Sequence, residues 1–232
     1  MMNPNKKTAK LAGIFFLLMV AFGLFAEVFF RQGIFIPGNA VVTAGNILDN
    51  VLLYRIGIVS DILMSLCYLF TALALYRLLV SVNKNLAQMM VLFAAAGSVL
   101  LLSNVLNELA PLSILTSGAY MGAFSEAQLQ ALAMYSFDTF NHGYMVGQSF
   151  FALWVLPLGL LVWRSKFIPK AYGLLFIIEA ACGLLSVVAH FLGFGGSAET
   201  FLLVPGMLAE FAFLGWLLIK GIDERKLEMI QE

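Results

Sequence analysis

The feature that most limits what this chain can become is a set of six apolar runs, each roughly 20 residues long, the length an α-helix needs to cross a bilayer core. They fall near residues 11–30, 56–78, 88–110, 140–163, 170–192 and 199–220. In hydrocarbon every backbone N–H and C=O must be satisfied within the protein, and helices do this segment by segment. The expected fold is therefore all-α: a polytopic integral membrane protein, a bundle of six transmembrane helices forming a single transmembrane domain over residues 1–232. Composition agrees, with 62% hydrophobic and 11% charged residues, against about 25% charged in soluble domains. The first run follows Lys6, Lys7 and Lys10 as the core of a signal peptide would. Its length of about 20 residues and the lack of an A-x-A-like cleavage site make it the first span instead.

The basic residues set an orientation. Lys6, Lys7, Lys10, Arg77, Lys84, Arg164, Lys166, Lys170, Lys220, Arg225 and Lys226 flank one side of the spans, leaving Arg31 and Arg55 opposite. The positive-inside rule then predicts a multi-pass protein of the cytoplasmic membrane with both termini cytoplasmic. Tyr76, Trp163, Tyr172 and Trp216 stand beside those charges, as an interfacial aromatic belt would. Thirteen basic residues cancel thirteen acidic ones and no basic block occurs, which sets nucleic acid aside and leaves the lipid bilayer as the evident partner. Cys67 and Cys182 lie deep in apolar runs and read as buried thiols.

The external connections carry the irregular features. After the first span, "IFIPGNAVVTAGNILDN" offers a Pro37-Gly38 turn and Asn39 as the N-cap of a short surface helix. Before the fourth, Ser125 and Gln128 form a capping-box pattern that opens the amphipathic "EAQLQALAMYSF". Both are expected as short amphipathic helices on the outer side. Pro157 and Pro205 predict kinks in spans four and six, and the lack of an internal repeat argues against inverted-repeat transporters.

Counting up each helix from its cytoplasmic charge places the intramembrane polar groups in depth. Glu27 is 17 residues beyond Lys10, Asp61 is 16 before Arg77 and Asn104 is 20 beyond Lys84, each roughly 24–30 Å above the inner edge. His142 and His190 reach the same outer layer, whereas Glu179 and Glu210 lie near the midplane. Helical spacing gathers these groups into stripes: Tyr54, Gly57, Asp61 and Ser65 on span two, Asn104, Asn107 and Glu108 on span three, Asp138, His142 and Gln148 on span four, and Glu179, Gly183, Ser186 and His190 on span five. Ionisable groups avoid lipid, so the stripes are expected to face one another around a polar cavity open to the outside. In that half and its loops Glu27, Asp49, Asp61, Glu108, Glu126, Asp138 and Glu199 outnumber Arg31 and Arg55. Either desolvation keeps some carboxyls protonated or the site holds a cation. Gly143 and Gly147 form a small-xxx-small pair suited to close helix packing.

At "IFIPGNAVVTAGNILDNVLLYRIGIVSD" the chain comes to resemble a family of bacterial six-helix membrane proteins known as a domain of unknown function, DUF4386. The resemblance extends through "KKTAKLAGIFFLL", "ALALYRLLVSVNKNLAQMMVLFAAAG", "FNHGYMVGQSFFALWVLPLGLLVWRSKFIPKAYGLL" and "PGMLAEFAFLGWLLIKG". It implies the membrane fold and supplies no activity or site residue.

The functional expectation is a non-catalytic membrane protein that binds a small or lipid-like ligand or a cation in the outer cavity. The candidate residues are Glu27, Arg55, Asp61, Asn104, Glu108, Asp138, His142, Glu179, His190 and Glu210. The bland counterpart pairs Glu27, Asp61 and Glu108 with Arg55 and the asparagines, as polar glue for the bundle. One alternative is a metal-dependent intramembrane hydrolase in which His142, His190 and Asp61 hold a divalent metal ion such as zinc, with water in a fourth position. Such a site resembles those of ceramidase-like hydrolases, which use three histidines where this chain has two. The same two imidazoles are also an axial haem pair. A further alternative is a small-solute or proton-coupled transporter, with Asp61 and Glu108 stepping down to Glu179 and Glu210.

Overall fold

The computed structural model describes residues 4–194 and 196–221, without the side chains of residues 4, 5 and 197–200. Arg225, Lys226 and the Glu199 side chain, which entered the charge reading, lie outside the described residues. The chain forms α1 (Pro4–Leu24), a π-helical segment (Phe25–Arg31), α2 (Gln32–Ile34), α3 (Ala40–Asp49), α4 (Val51–Leu79), α5 (Lys84–Thr116), α6 (Gly118–Met121), α7 (Glu126–Arg164), α8 (Lys170–Phe191) and α9 (Ser197–Ile219). Among the described residues there is no strand. Six helical stretches are long and apolar enough to cross a membrane: Lys6–Ile34, Val51–Leu79, Lys84–Thr116, Glu126–Arg164, Lys170–Phe191 and Phe201–Ile219. The protein is a multi-pass transmembrane helical protein.

The first four helical stretches outrun the apolar runs that announced them. α5 passes through Pro111 to Thr116, because a proline removes one N–H and the rest of the ladder survives. α7 has 39 residues, roughly 58 Å at helical rise, so "EAQLQALAMYSF" is its first part and not the separate amphipathic helix expected from the sequence. Its start is capped as foreseen, with Gln128 Oε1 accepting from Ser125 N–H at 2.9 Å. α3 is the surface helix predicted after the Pro-Gly turn. Asn39 Oδ1 accepts from Val42 N–H at 3.1 Å, and Asn46 Nδ2 donates to Ile34 C=O at 3.0 Å, tying α3 back to the end of the first span.

The chain divides into two compact units: Met1–Leu18, Cys67–Ser98 and Met145–Glu232 form one, and Met19–Leu66 with Val99–Tyr144 the other. The first contains every described lysine, together with Arg77 and Arg164; the second contains only Arg31 and Arg55 as cations against Glu27, Asp49, Asp61, Glu108, Glu126 and Asp138. They are called the basic and the acidic unit below.

In the acidic unit the core joins Phe30, Phe35, Ile47, Tyr54, Leu112, Phe137 and Phe140 from the first span, α3, α4, α5 and α7. Phe35 stacks on Phe137 at 3.4 Å between centroids, and Phe30 meets Tyr54 edge-on at 4.9 Å. Gly57 makes room for this, since a Cβ there would overlap the Phe30 ring. The basic unit contains a backbone crossing of α7 and α8. A Cβ on Gly173 would stand 2.6 Å from Trp163 N and 2.8 Å from Gly159 O, so the two glycines let the helix backbones touch.

Candidate functional site: an arginine among three carboxylates

In the acidic unit Asp61 and Glu108, from the polar stripes of spans two and three, meet Glu27 in a packed ion cluster, and its centre is Arg31. Arg31 Nε donates to Glu27 Oε2 at 2.8 Å, while its Nη1 donates to Asp61 Oδ2 at 2.6 Å and to Glu108 Oε1 at 3.0 Å. The first span, α4 and α5 thus each bring a carboxylate to one guanidinium. Exposure separates them: the side chains of Arg31, Asp61 and Glu108 are 8%, 4% and 0% exposed, and that of Glu27 is 52% exposed. Asp61 and Glu108 lie within hydrogen-bonding reach of each other. Their second oxygens, Asp61 Oδ1 and Glu108 Oε2, are shielded and have no hydrogen-bond partner among the described residues.

The pairing expected with Arg55 is corrected by this geometry. Arg55 stands six residues before Asp61, about 120° off its helical face, and is exposed. Arg31 follows Glu27 by one turn inside the π-helical segment. A π-turn shifts the register of the residues after it relative to an unbroken α-helix, and such segments recur at functional sites. The sequence offered one clue to Arg31, its spacing of four from Glu27.

The cluster is held from behind by α5 and α7. Tyr54 Oη donates to the Glu108 backbone C=O. Asn104 Nδ2 donates to the Phe140 C=O at 2.8 Å, and Asn104 Oδ1 accepts from Asn107 Nδ2 at 3.0 Å. Gly143 admits the Asn104 amide, because a Cβ there would overlap it. This seats α7 so that the Phe140 and Tyr144 rings lie 5.4 and 6.0 Å from the Arg31 guanidinium carbon, within cation–π range. The useful residues of "SFDTFNHGY" are therefore Phe140, Gly143 and Tyr144. Asp138 and His142 are exposed on the same helix.

The other sequence candidates belong to the basic unit. His190 is half-buried in the last turn of α8, its ring 5.1 Å from that of Phe191. Glu179 is buried, and its carboxyl packs where a Cβ on Gly206 would stand, with Cγ at 2.8 Å. Tyr68, Trp154, Glu179, Ser186 and Glu210 each bury a polar atom without a hydrogen-bond partner among the described residues. Among the described residues no group of three or more His, Cys, Asp or Glu is placed to hold a metal ion.

No curated protein and no solved structure matches the chain. A family model described as a domain of unknown function, DUF4386, matches residues 11–221.

Proposed function

The chain belongs to that family of unknown function, and from this premise we propose that it is a proton-binding protein of the cytoplasmic membrane. The proton is held by the Asp61–Glu108 pair under the grip of Arg31. One observation carries the reading: a single Nη1 serves two buried carboxylates. One guanidinium against two carboxylates leaves one negative charge in excess, and an unbalanced charge out of water costs several kcal/mol or more. A positive charge must join the pair. Asp61 Oδ1 and Glu108 Oε2 are shielded by their neighbours, and a proton between adjacent carboxyls needs no further space. A metal ion or an amine would need room beside oxygens that the neighbouring atoms already shield. Exposed Glu27, on the same guanidinium, offers the route to solvent.

The proposal includes cytoplasmic termini. Support comes from Lys6, Lys7, Lys10, Arg77, Lys84, Arg164, Lys166, Lys170 and Lys220, which all fall in the basic unit at or near helix ends, as the positive-inside rule favours. The ligand of the pair is the smallest cation; the hydrolase reading on His142, His190 and Asp61 lacks a comparable observation in its support.

Infrared difference spectroscopy on protein in nanodiscs tests the proposal. In a Glu179→Gln/Glu210→Gln background, which removes the other buried carboxyls, the protein is expected to show the carbonyl stretch of a buried carboxylic acid, lost on adding Glu108→Gln or Asp61→Asn and kept on adding Glu27→Gln. Absence of that band in this background, or its persistence on adding either buried substitution, removes the reading.

A further inference from the structure

Arg55 is the one cation of the acidic unit that the carboxylate cluster does not use. Among the described residues it makes no ion pair, although the unit contains six acids. Arg31 alone takes three of them. An arginine left uncommitted among so many carboxylates is positioned for an anion from outside the chain.

Its surroundings say which anion. Arg55 borders a groove of about 340 Å³ between α4 and α5. It stands in the second turn of α4, and across the groove Thr116 is the last residue of α5 with Ser113 one turn before it. These three polar residues form the end nearest the helix termini. Deeper along the same groove the lining is wholly apolar: Ile58 and Val59 from α4, Leu109 and Leu112 from α5. Leu109 lies seven residues before Thr116, so the apolar part runs roughly 10 Å inward from the helix end. Ile58 and Leu112 are buried and make the floor, while Val59 and Leu109 remain 52% and 40% exposed. A charged mouth above an apolar trough on a membrane-spanning helix pair has the polarity of a lipid. The head needs negative charge, and the trough takes hydrocarbon.

We propose that this groove binds one anionic phospholipid of the surrounding bilayer, its phosphate on the Arg55 guanidinium and one acyl chain along Ile58, Val59, Leu109 and Leu112. The guanidinium fork matches a phosphate bidentately. Ser113 and Thr116 hydroxyls donate to the carbonyls of their own helix, Leu109 and Leu112, so arginine carries the recognition of charge and they contribute only polarity at the rim. The site is separate from the Arg31 cluster and stands or falls without it.

The test uses the whole protein, equilibrated in nanodiscs of mixed phosphatidylglycerol and phosphatidylcholine and then released for native mass spectrometry. Wild type is expected to retain one phosphatidylglycerol per chain. Arg55→Gln should lower that retention about tenfold, a loss of one charge-assisted contact, while Arg55→Lys retains part of it. Leu109→Trp, which fills the trough and keeps Arg55, should lower retention as well. Thermal midpoints of the variants, expected near wild type because both side chains are exposed, establish that folding is not the cause. Equal retention by wild type and Arg55→Gln, or no preference for phosphatidylglycerol over phosphatidylcholine, overturns the proposal. Displacement of the lipid by excess inorganic phosphate alone would assign the site to a free anion and overturn it too.

Discussion

Replacing Arg31 with methionine should do more damage than any other single change in the acidic unit. The substitution keeps an unbranched chain of similar reach and leaves Asp61 and Glu108, 4% and 0% exposed, with no cation. Removing one member of a buried ion pair typically costs about 3–5 kcal/mol, because the remaining charge is stranded out of water. For a chain of this size that is a fall in thermal midpoint of roughly 6–20 °C. The exposed arm of the same cluster gives the contrast. Glu27 is 52% exposed, and surface ion pairs are worth about 0–1 kcal/mol, so Glu27→Gln should move the midpoint by no more than a few degrees. Adding Asp61→Asn and Glu108→Gln to Arg31→Met should recover most of the loss, since a buried network replaced as a whole by neutral groups is often tolerated. The assay is thermal unfolding in nanodiscs, tracked by loss of helical circular dichroism at a fixed scan rate. Equal small shifts for Arg31→Met and Glu27→Gln, or no recovery in the triple variant, would refute the reasoning.

The same packing sets further expectations. Gly57→Ala puts a methyl into the Phe30 ring, and overpacking of this kind costs about 1–3 kcal/mol; Gly33→Ala meets nothing within 4 Å and should be neutral or stabilising by up to about 1 kcal/mol, both read as midpoint shifts. Gly173→Ala, whose Cβ would stand 2.6 Å from the Trp163 backbone N, should be worse than Gly57→Ala, because backbone cannot rotate away; a smaller loss would contradict the crossing. Asp138→Asn and His142→Gln change exposed side chains and should stay within about 0.5 kcal/mol of wild type with the infrared band intact. For orientation, Ser125→Cys should react with an impermeant maleimide on intact cells and Ser81→Cys only after lysis, the reverse pattern excluding cytoplasmic termini.

The apolar runs located the six spans because their length measures the hydrocarbon they must cross, and the same measure fails at helix ends. Nothing in an apolar run says that α5 continues past Pro111 or that α7 already begins at Glu126, since helices persist into the interface wherever their own hydrogen bonds hold. Local chemistry was readable where it is local: Asn39 caps α3 and Gln128 reaches back to Ser125 because partners three residues apart need no tertiary information. Depth counting singled out Glu27 and Asp61 and the helical stripes added Glu108, yet both left their common cation among the exterior charges. Arg31 lies just beyond the first apolar run, and the π-helical segment that carries it alters the helical phase on which face-matching depends. The close approaches at Gly57, Gly143 and Gly173 were equally hidden, because each depends on which ring, amide or backbone arrives from another helix. Asp138 and His142 stood out as titratable groups on span four, whereas the contacts to Arg31 and Asn104 come from Phe140, Gly143 and Tyr144.

The central claim is that Arg31 holds Asp61 and Glu108 together through one nitrogen. Solid-state NMR dipolar recoupling between the Arg31 guanidinium nitrogens and the side-chain carboxyl carbons, in lipid and with selective labelling, measures this directly. The account predicts strong couplings from Arg31 to both Asp61 and Glu108, matching donor–acceptor distances of 2.6 and 3.0 Å, and none from Arg55. Coupling of Arg31 to Glu27 alone, or of Arg55 to the buried pair, would contradict it.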